Sequence, residues 1–177
     1  HCESSAASDV YKRQVFASLN EKHSNKFFET GGLIRRCADA LYAAADIIKN
    51  PPNPIVNKIE RNCYNSHNRQ LIDQAGQTFG RWWMFGLSEK YLKKSESMDP
   101  FSPNTLMSLA VTYHLSRNSE QSVKILKRYL EIDPENHQAL RMSIQGAGAV
   151  GDKIFADRVL ELMKKHNPSA VPLAESF

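Results

Sequence analysis

The chain has no apolar run approaching the ~20 residues that a bilayer-spanning helix needs, so no membrane span is expected within it. Cysteine is scarce. Cys2, Cys37 and Cys63 are the three among 177 residues, and they match neither a zinc-ligand spacing nor a CxxC pair. Their odd count argues against a disulfide framework, and Cys37, inside an apolar helical run, is expected simply to be buried. Glycine and proline number eight each, too few for a fibrous or disordered protein. HExxH, phosphate-binding-loop and GxSxG patterns are absent, which removes the usual metalloprotease, nucleotide-hydrolase and serine-hydrolase readings. His23, His67, His137 and His166 are scattered and pair with no second ligand at helical spacing. No metal site and no cofactor are expected, since a metal needs several converging ligands.

What is present is an ordinary globular balance, 41% hydrophobic and 24% charged residues with a net charge of +4. That charge permits an acidic partner without requiring one. The densest basic spots, Lys93-Lys94, Lys127-Arg128 and Lys164-Lys165, each fall in the second half of a predicted helix, where cations suit the helix dipole. They form no concentrated basic face of the kind that binds nucleic acid, so no nucleic-acid partner is expected.

Residues 4–14 read SSAASDVYKRQ and resemble the in-frame translation of a sequencing adapter, a contaminant at the ends of metagenomic reading frames. On that resemblance residues 1–14 are non-native and set aside, and the natural start lies upstream of Val15. Glu3 and Asp9 cancel Lys12 and Arg13, so the net charge is unchanged without them.

From Val15 the reading is helical. A short polar helix is expected in 15–29, broken by Gly31-Gly32. Residues 33–49 place Leu33, Ile34, Cys37, Ala38, Leu41, Ala44, Ala45 and Ile48 at three- and four-residue steps, the helical period. Pro51, Pro52 and Pro54 stop it. A short helix over 55–65 carries Ile55, Val56, Ile59 and Cys63 on one side. The N-terminal helices and proline-rich linker thus occupy 15–54, and a repeat domain follows over 55–177.

Pro100, Pro134 and Pro168 stand 34 residues apart within Asp99-Pro100, Asp133-Pro134 and Asn167-Pro168. A 34-residue period is that of the tetratricopeptide repeat (TPR), and the register gives frames 69–102, 103–136 and 137–170. The first places Ile72, Ala75, Gly76 and Phe79, then Ser88, Leu92 and Ser95, at the core positions of a helical hairpin. The second places Leu106, Leu109, Ala110 and Tyr113, then Ser122, Leu126 and Tyr129 there. The third places Leu140, Ser143, Ile144 and Ala147, then Ala156, Leu160 and Met163. The segment YLEIDPEN resembles the closing segment of that family, while Tyr129 departs from its alanine and Ser143 and Ile144 from its large and small residues. Small residues at Gly76, Ala110 and Ala156 are expected to let helices approach. Arg117-Asn118-Ser119 and Gly151-Asp152 carry turn chemistry, and Ser102-Pro103 suits a helix start. The bend at Trp82-Trp83-Met84-Phe85-Gly86 has one turn signal, Gly86. The resemblance implies an all-α fold of antiparallel helical hairpins stacked as a short right-handed solenoid, with extra N-terminal helices, because a single hairpin cannot bury its apolar face alone.

Residues 146–151 read GAGAVG, a literal GxGxxG. A dinucleotide loop there requires a preceding strand, more chain than the 26 residues that remain, and an acidic residue about twenty positions on. Close helix packing and a turn at Gly151 is the competing reading, and helical structure through 138–148 decides between them. The cluster Trp82-Trp83-Met84-Phe85 is read as packing against the N-terminal helices, with a binding anchor as the rival. Glu120 and Glu131 are read as solvated charges, and no catalytic residue is expected.

The first helix of each TPR hairpin lines a concave surface. On that mapping Gln70, Asp73, Gln77 and Arg81 come from the first frame, Asn104, Met107, Val111 and His114 from the second, and Gln138, Arg141 and Gln145 from the third. The family's clamp for C-terminal carboxylates needs lysine and asparagine where this chain has Asp73 and Gln77. The implied function is a bacterial protein–protein scaffold holding a peptide or partner domain. A weaker resemblance, in GRWWMFGLSEKYLKKSESMDPFSPNTLMSLA (80–110), is to the soluble C-terminal tails of membrane O-antigen polymerases and ligases. It implies a tail whose catalytic part lies upstream. The scaffold reading allows bacterial cytoplasm or periplasm, and the tail reading attachment to a membrane protein.

Overall fold

The computed structural model describes residues 27–166. The segment set aside at 1–14, the short helix expected in 15–29 as far as residue 26, and Asn167-Pro168 lie outside the described residues. Among the described residues there are eight helices and no strand. They are α1 (Phe27–Ala44), α2 (Asn53–Cys63), α3 (Arg69–Arg81), α4 (Phe85–Met98), α5 (Pro103–Leu115), α6 (Ser119–Ile132), α7 (His137–Val150) and α8 (Lys153–His166). The chain divides into two compact units at Met98/Asp99.

In the first unit α1 runs straight through Gly31-Gly32, so these glycines do not break a helix as expected. Each weakens it by about 1 kcal/mol relative to alanine, which neighbouring turns and packing can override. The helix stops at Ala44 rather than at 49. Asn50, with φ 51°, turns the chain, and Pro52 leads into α2 with a proline in its first turn, a position where a missing amide costs nothing.

The cysteines depart furthest from expectation. Cys37 is buried, but it is joined to Cys63 by a disulfide that ties α1 to α2. An odd cysteine count does not prevent one pair from forming, and the distance that matters, 4.7 Å between α-carbons, exists only once the two helices pack.

Around the disulfide lies a continuous core that includes Leu41, Ile59, Leu71, Ile72, Phe79 and Tyr91. The Tyr91 ring meets Tyr64 edge-on at 5.3 Å and Phe79 at 5.1 Å. Its hydroxyl donates to the Glu60 carbonyl oxygen at 3.2 Å. Burial, and then the Glu60 carboxylate, pushes the phenol's pKa up, so Tyr91 stays a neutral donor. Lys94 Nζ donates to the Tyr64 carbonyl oxygen, and the ammonium groups of Lys94 and Lys90 lie 4.3 and 4.6 Å from the Tyr64 ring centre. Such contacts contribute roughly 0.5–2 kcal/mol each, depending on desolvation, and they fasten α4 to the end of α2.

In the second unit α5–α6 and α7–α8 are antiparallel hairpins, with α7 packed on α6. Ser122 Oγ donates to the Ala110 carbonyl oxygen at 3.1 Å across the first hairpin. All the core positions expected in the first two frames are buried. In the third, Ala156 and Leu160 on α8 are half-buried, since α8 packs on α7 and has no later helix among the described residues.

The hairpins recur at a fixed interval. First helices start at Arg69, Pro103 and His137, and second helices at Phe85, Ser119 and Lys153, in steps of 34. Asn68, Ser102 and Asn136 cap the first helices, each accepting from the backbone amide three residues on, which satisfies a donor that the first turn leaves open. Asn118 and Asp152 do the same for α6 and α8. The left-handed residues after the first helices also keep step: Trp83 (φ 61°), Arg117 (φ 61°) and Gly151 (φ 72°). In each turn the next amide donates five residues back, Met84 to Phe79, Asn118 to Tyr113 and Asp152 to Ala147. That is the Schellman bond which satisfies an orphan carbonyl at a helix end.

Candidate partner-binding faces

Each first helix keeps one face on the core and turns another outward. On α5 the outward stripe holds Asn104 and His114, exposed, and Met107 and Val111, half-buried. On α7 it holds Gln138 and Arg141, exposed, and Gln145, half-buried. These two helices also touch, and both stripes belong to the second unit. Met107 and Val111 are the apolar members of the α5 stripe, and Arg141 is the cation of the α7 stripe.

In the first unit the predicted quartet separates. Gln70 and Arg81 are exposed and Gln77 is half-buried. Asp73 is 5% exposed, and the Gln77 side-chain amide donates to its Oδ2 at 2.8 Å. Arg81 donates to Thr78 Oγ1 at 3.4 Å. The reason is the position of α3, which α1 and α2 cover on one flank and α4 on another. Asp73 is therefore a packed, internally bonded carboxylate rather than an open contact residue.

The tryptophan cluster also splits. Trp82 is buried and its Nε1 donates to the Ile47 carbonyl oxygen at 2.8 Å, with its ring edge-on to Phe79 at 6.0 Å. This tie holds the 45–50 turn against the α3–α4 turn. Trp83, one residue on, is 66% exposed, and its ring lies tilted against Phe85 with centroids 5.6 Å apart. The bend lies at Trp82–Met84, and Gly86 is inside α4, so the expected turn signal is not the turn.

The GAGAVG segment is helical from Gly146 to Val150, and only Gly151 is left-handed. A methyl on Gly146 would meet Val123 Cγ2 at 2.8 Å, so this glycine permits close approach of α7 and α6. Among the described residues no strand precedes it, and the helix over His137–Val150 excludes the dinucleotide loop. Nearby, an open depression of about 560 Å³ is lined by Arg117, Asn118, Ser119, Glu120, Ala149 and Val150. The Glu120 carboxylate beside Arg117 makes it a poor anion cradle.

Two of the three basic spots make ion pairs or hydrogen bonds with neighbouring groups. Lys93 pairs with Glu89 at 2.9 Å, Lys127 with Asp152 at 2.7 Å, and Arg128 donates to the Pro100 carbonyl oxygen at 2.9 Å. Only Lys164-Lys165 reaches a last turn, so the dipole account, which fades beyond that turn, fits one pair of the three. Glu120 and Glu131 are exposed. Among the described residues no three His, Cys, Asp or Glu side chains converge as metal ligands, and no helix is long and apolar enough to cross a membrane.

No family model matches the chain, and neither a curated protein nor a solved structure does so.

Proposed function

We propose that this chain is a TPR-type helical-repeat scaffold that holds a peptide or partner domain on the outward face of its first helices. The observation that carries the reading is the 34-residue recurrence of helix starts, side-chain caps and left-handed turn residues over three hairpins. Coincidence of all three at one interval is what a hairpin repeat requires. The second unit supplies the better surface. Asn104, Gln138 and Gln145 offer both donors and acceptors, Met107 adapts its shape to an apolar side chain, and Arg141 favours an acidic group. An extended peptide with one apolar anchor and a neighbouring carboxylate meets those demands.

The test uses a displayed library of twelve-residue peptides selected on the folded protein. Enriched peptides are then titrated against Asn104→Ala/Met107→Ala/Arg141→Ala. A loss of at least tenfold in affinity with unchanged helical circular dichroism is expected. Unchanged affinity would remove this face as the binding surface.

A further inference from the structure

We infer that Cys37 and Cys63 are oxidised by thiol–disulfide exchange with an external disulfide, and that the chain accordingly folds in an oxidising compartment. The pair is built into the fold. One sulfur comes from the middle of α1 and the other from the last residue of α2, and both residues are 0% exposed. Their α-carbons stand 4.7 Å apart, within the span a disulfide bridges without backbone movement. Disulfides form and persist where the surroundings are oxidising, and they are rare in reducing cytosol.

Burial sets the order of events. No reagent can reach sulfurs with no exposed surface, so exchange must occur while the α1–α2 hairpin is still open, before Leu71, Ile72 and Phe79 close over it. The thiolate of one cysteine attacks the oxidant's disulfide, forming a mixed disulfide and releasing one thiol. The second cysteine then displaces the other thiol. Two protons and two electrons leave the chain, and one external disulfide becomes two thiols. The oxidant is a dithiol oxidase or a small disulfide such as oxidised glutathione. Reduction returns Cys37 and Cys63 to two separate thiols. What it removes is the covalent closure of the 26-residue separation between the helices, a constraint on the unfolded chain.

The full chain is produced in a bacterial host with and without an export leader, quenched in acid, denatured and alkylated without reduction. The exported chain is expected to take up one label, at Cys2, rising to three after reduction, and the cytosolic chain three at once. Three labels on the exported, folded chain would overturn the exchange step, and one label on the cytosolic chain would overturn the compartment. In a second arm the purified chain is refolded in oxidised or reduced glutathione. The oxidised form is expected to melt at least about 10 °C higher, and equal Tm values would show that the bond closes nothing the fold depends on.

Discussion

A methyl group placed on Gly76 would lie 2.6 Å from Leu92 Cγ and 3.2 Å from the Leu92 backbone nitrogen, so α3 and α4 meet almost backbone to backbone at this point. Gly76→Ala is expected to destabilise the first unit by about 1–3 kcal/mol through overpacking, even though alanine favours a helix by roughly 1 kcal/mol over glycine. Urea unfolding of the single variants and of Gly76→Ala/Leu92→Ala would show the cost partly recovered in the pair. A Gly76→Ala variant as stable as the parent would mean the helices are not in close contact there.

The left-handed turns give a matched pair of opposite effects. Arg117 is an exposed non-glycine residue at φ 61°, and Gly151 holds the same position with open space around a built Cβ. A side chain in this conformation costs roughly 1 kcal/mol. Arg117→Gly is therefore expected to stabilise the second unit by about 0.5–1 kcal/mol, and Gly151→Ala to destabilise it by about 1 kcal/mol. Thermal melts of the two variants should move in opposite directions, and movement in the same direction would refute the assignment.

Ser143 is fully buried on α7 and its Oγ has no hydrogen-bond partner. It stands where the other frames have Ala75 and Leu109. Removing a buried hydroxyl that makes no bond relieves its desolvation cost, so Ser143→Ala is expected to stabilise by about 1 kcal/mol. Calorimetry decides, and a lower Tm would point to a partner that the hydroxyl does have.

Asp152 couples a turn to pH. Its Oδ2 receives Lys127 Nζ at 2.7 Å and its Oδ1 caps α8 through the Phe155 amide at 3.1 Å. The Lys127 bond, followed by the Phe155 bond, lowers its pKa. A carboxyl whose folded pKa is lowered adds stability above its unfolded pKa and loses it as pH falls through the folded value. Asp152→Asn keeps the cap acceptor and removes the charge. The parent is expected to melt above this variant at pH 7, with the gap closing below about pH 4. A gap independent of pH would show that the charge contributes nothing.

The second half of the fold was legible in the sequence because its signals are local. Asn118 and Ser102 announce helix starts, Gly151 a helix end, and the proline interval the register. The first half rests on features no local rule carries. Trp83 occupies a left-handed position where glycine or asparagine is the usual occupant, so the turn was displaced toward Gly86. Gly31-Gly32 reads as a breaker yet lies within α1. The Cys37–Cys63 bond depends on how α1 meets α2. Asp73 sits at a position expected to face a partner, but α3 has neighbours on two flanks. The outward placing of Asn104, Met107, Val111 and His114 on α5 follows from the register that the TPR resemblance supplies, since their three- and four-residue steps keep them on one side of a helix.

The adjacent tryptophans have opposite surroundings, and that gives the first unit two built-in optical reporters. Trp82 is sheltered and bonded to Ile47, while Trp83 stands in water. A polar quencher such as iodide reaches only the second, leaving a residual blue-shifted emission from the first. That sheltered emission persists only while the 45–50 turn stays against α3, so parting of α1 and α2 from the rest would be seen in unlabelled protein as a red shift and new access to quencher.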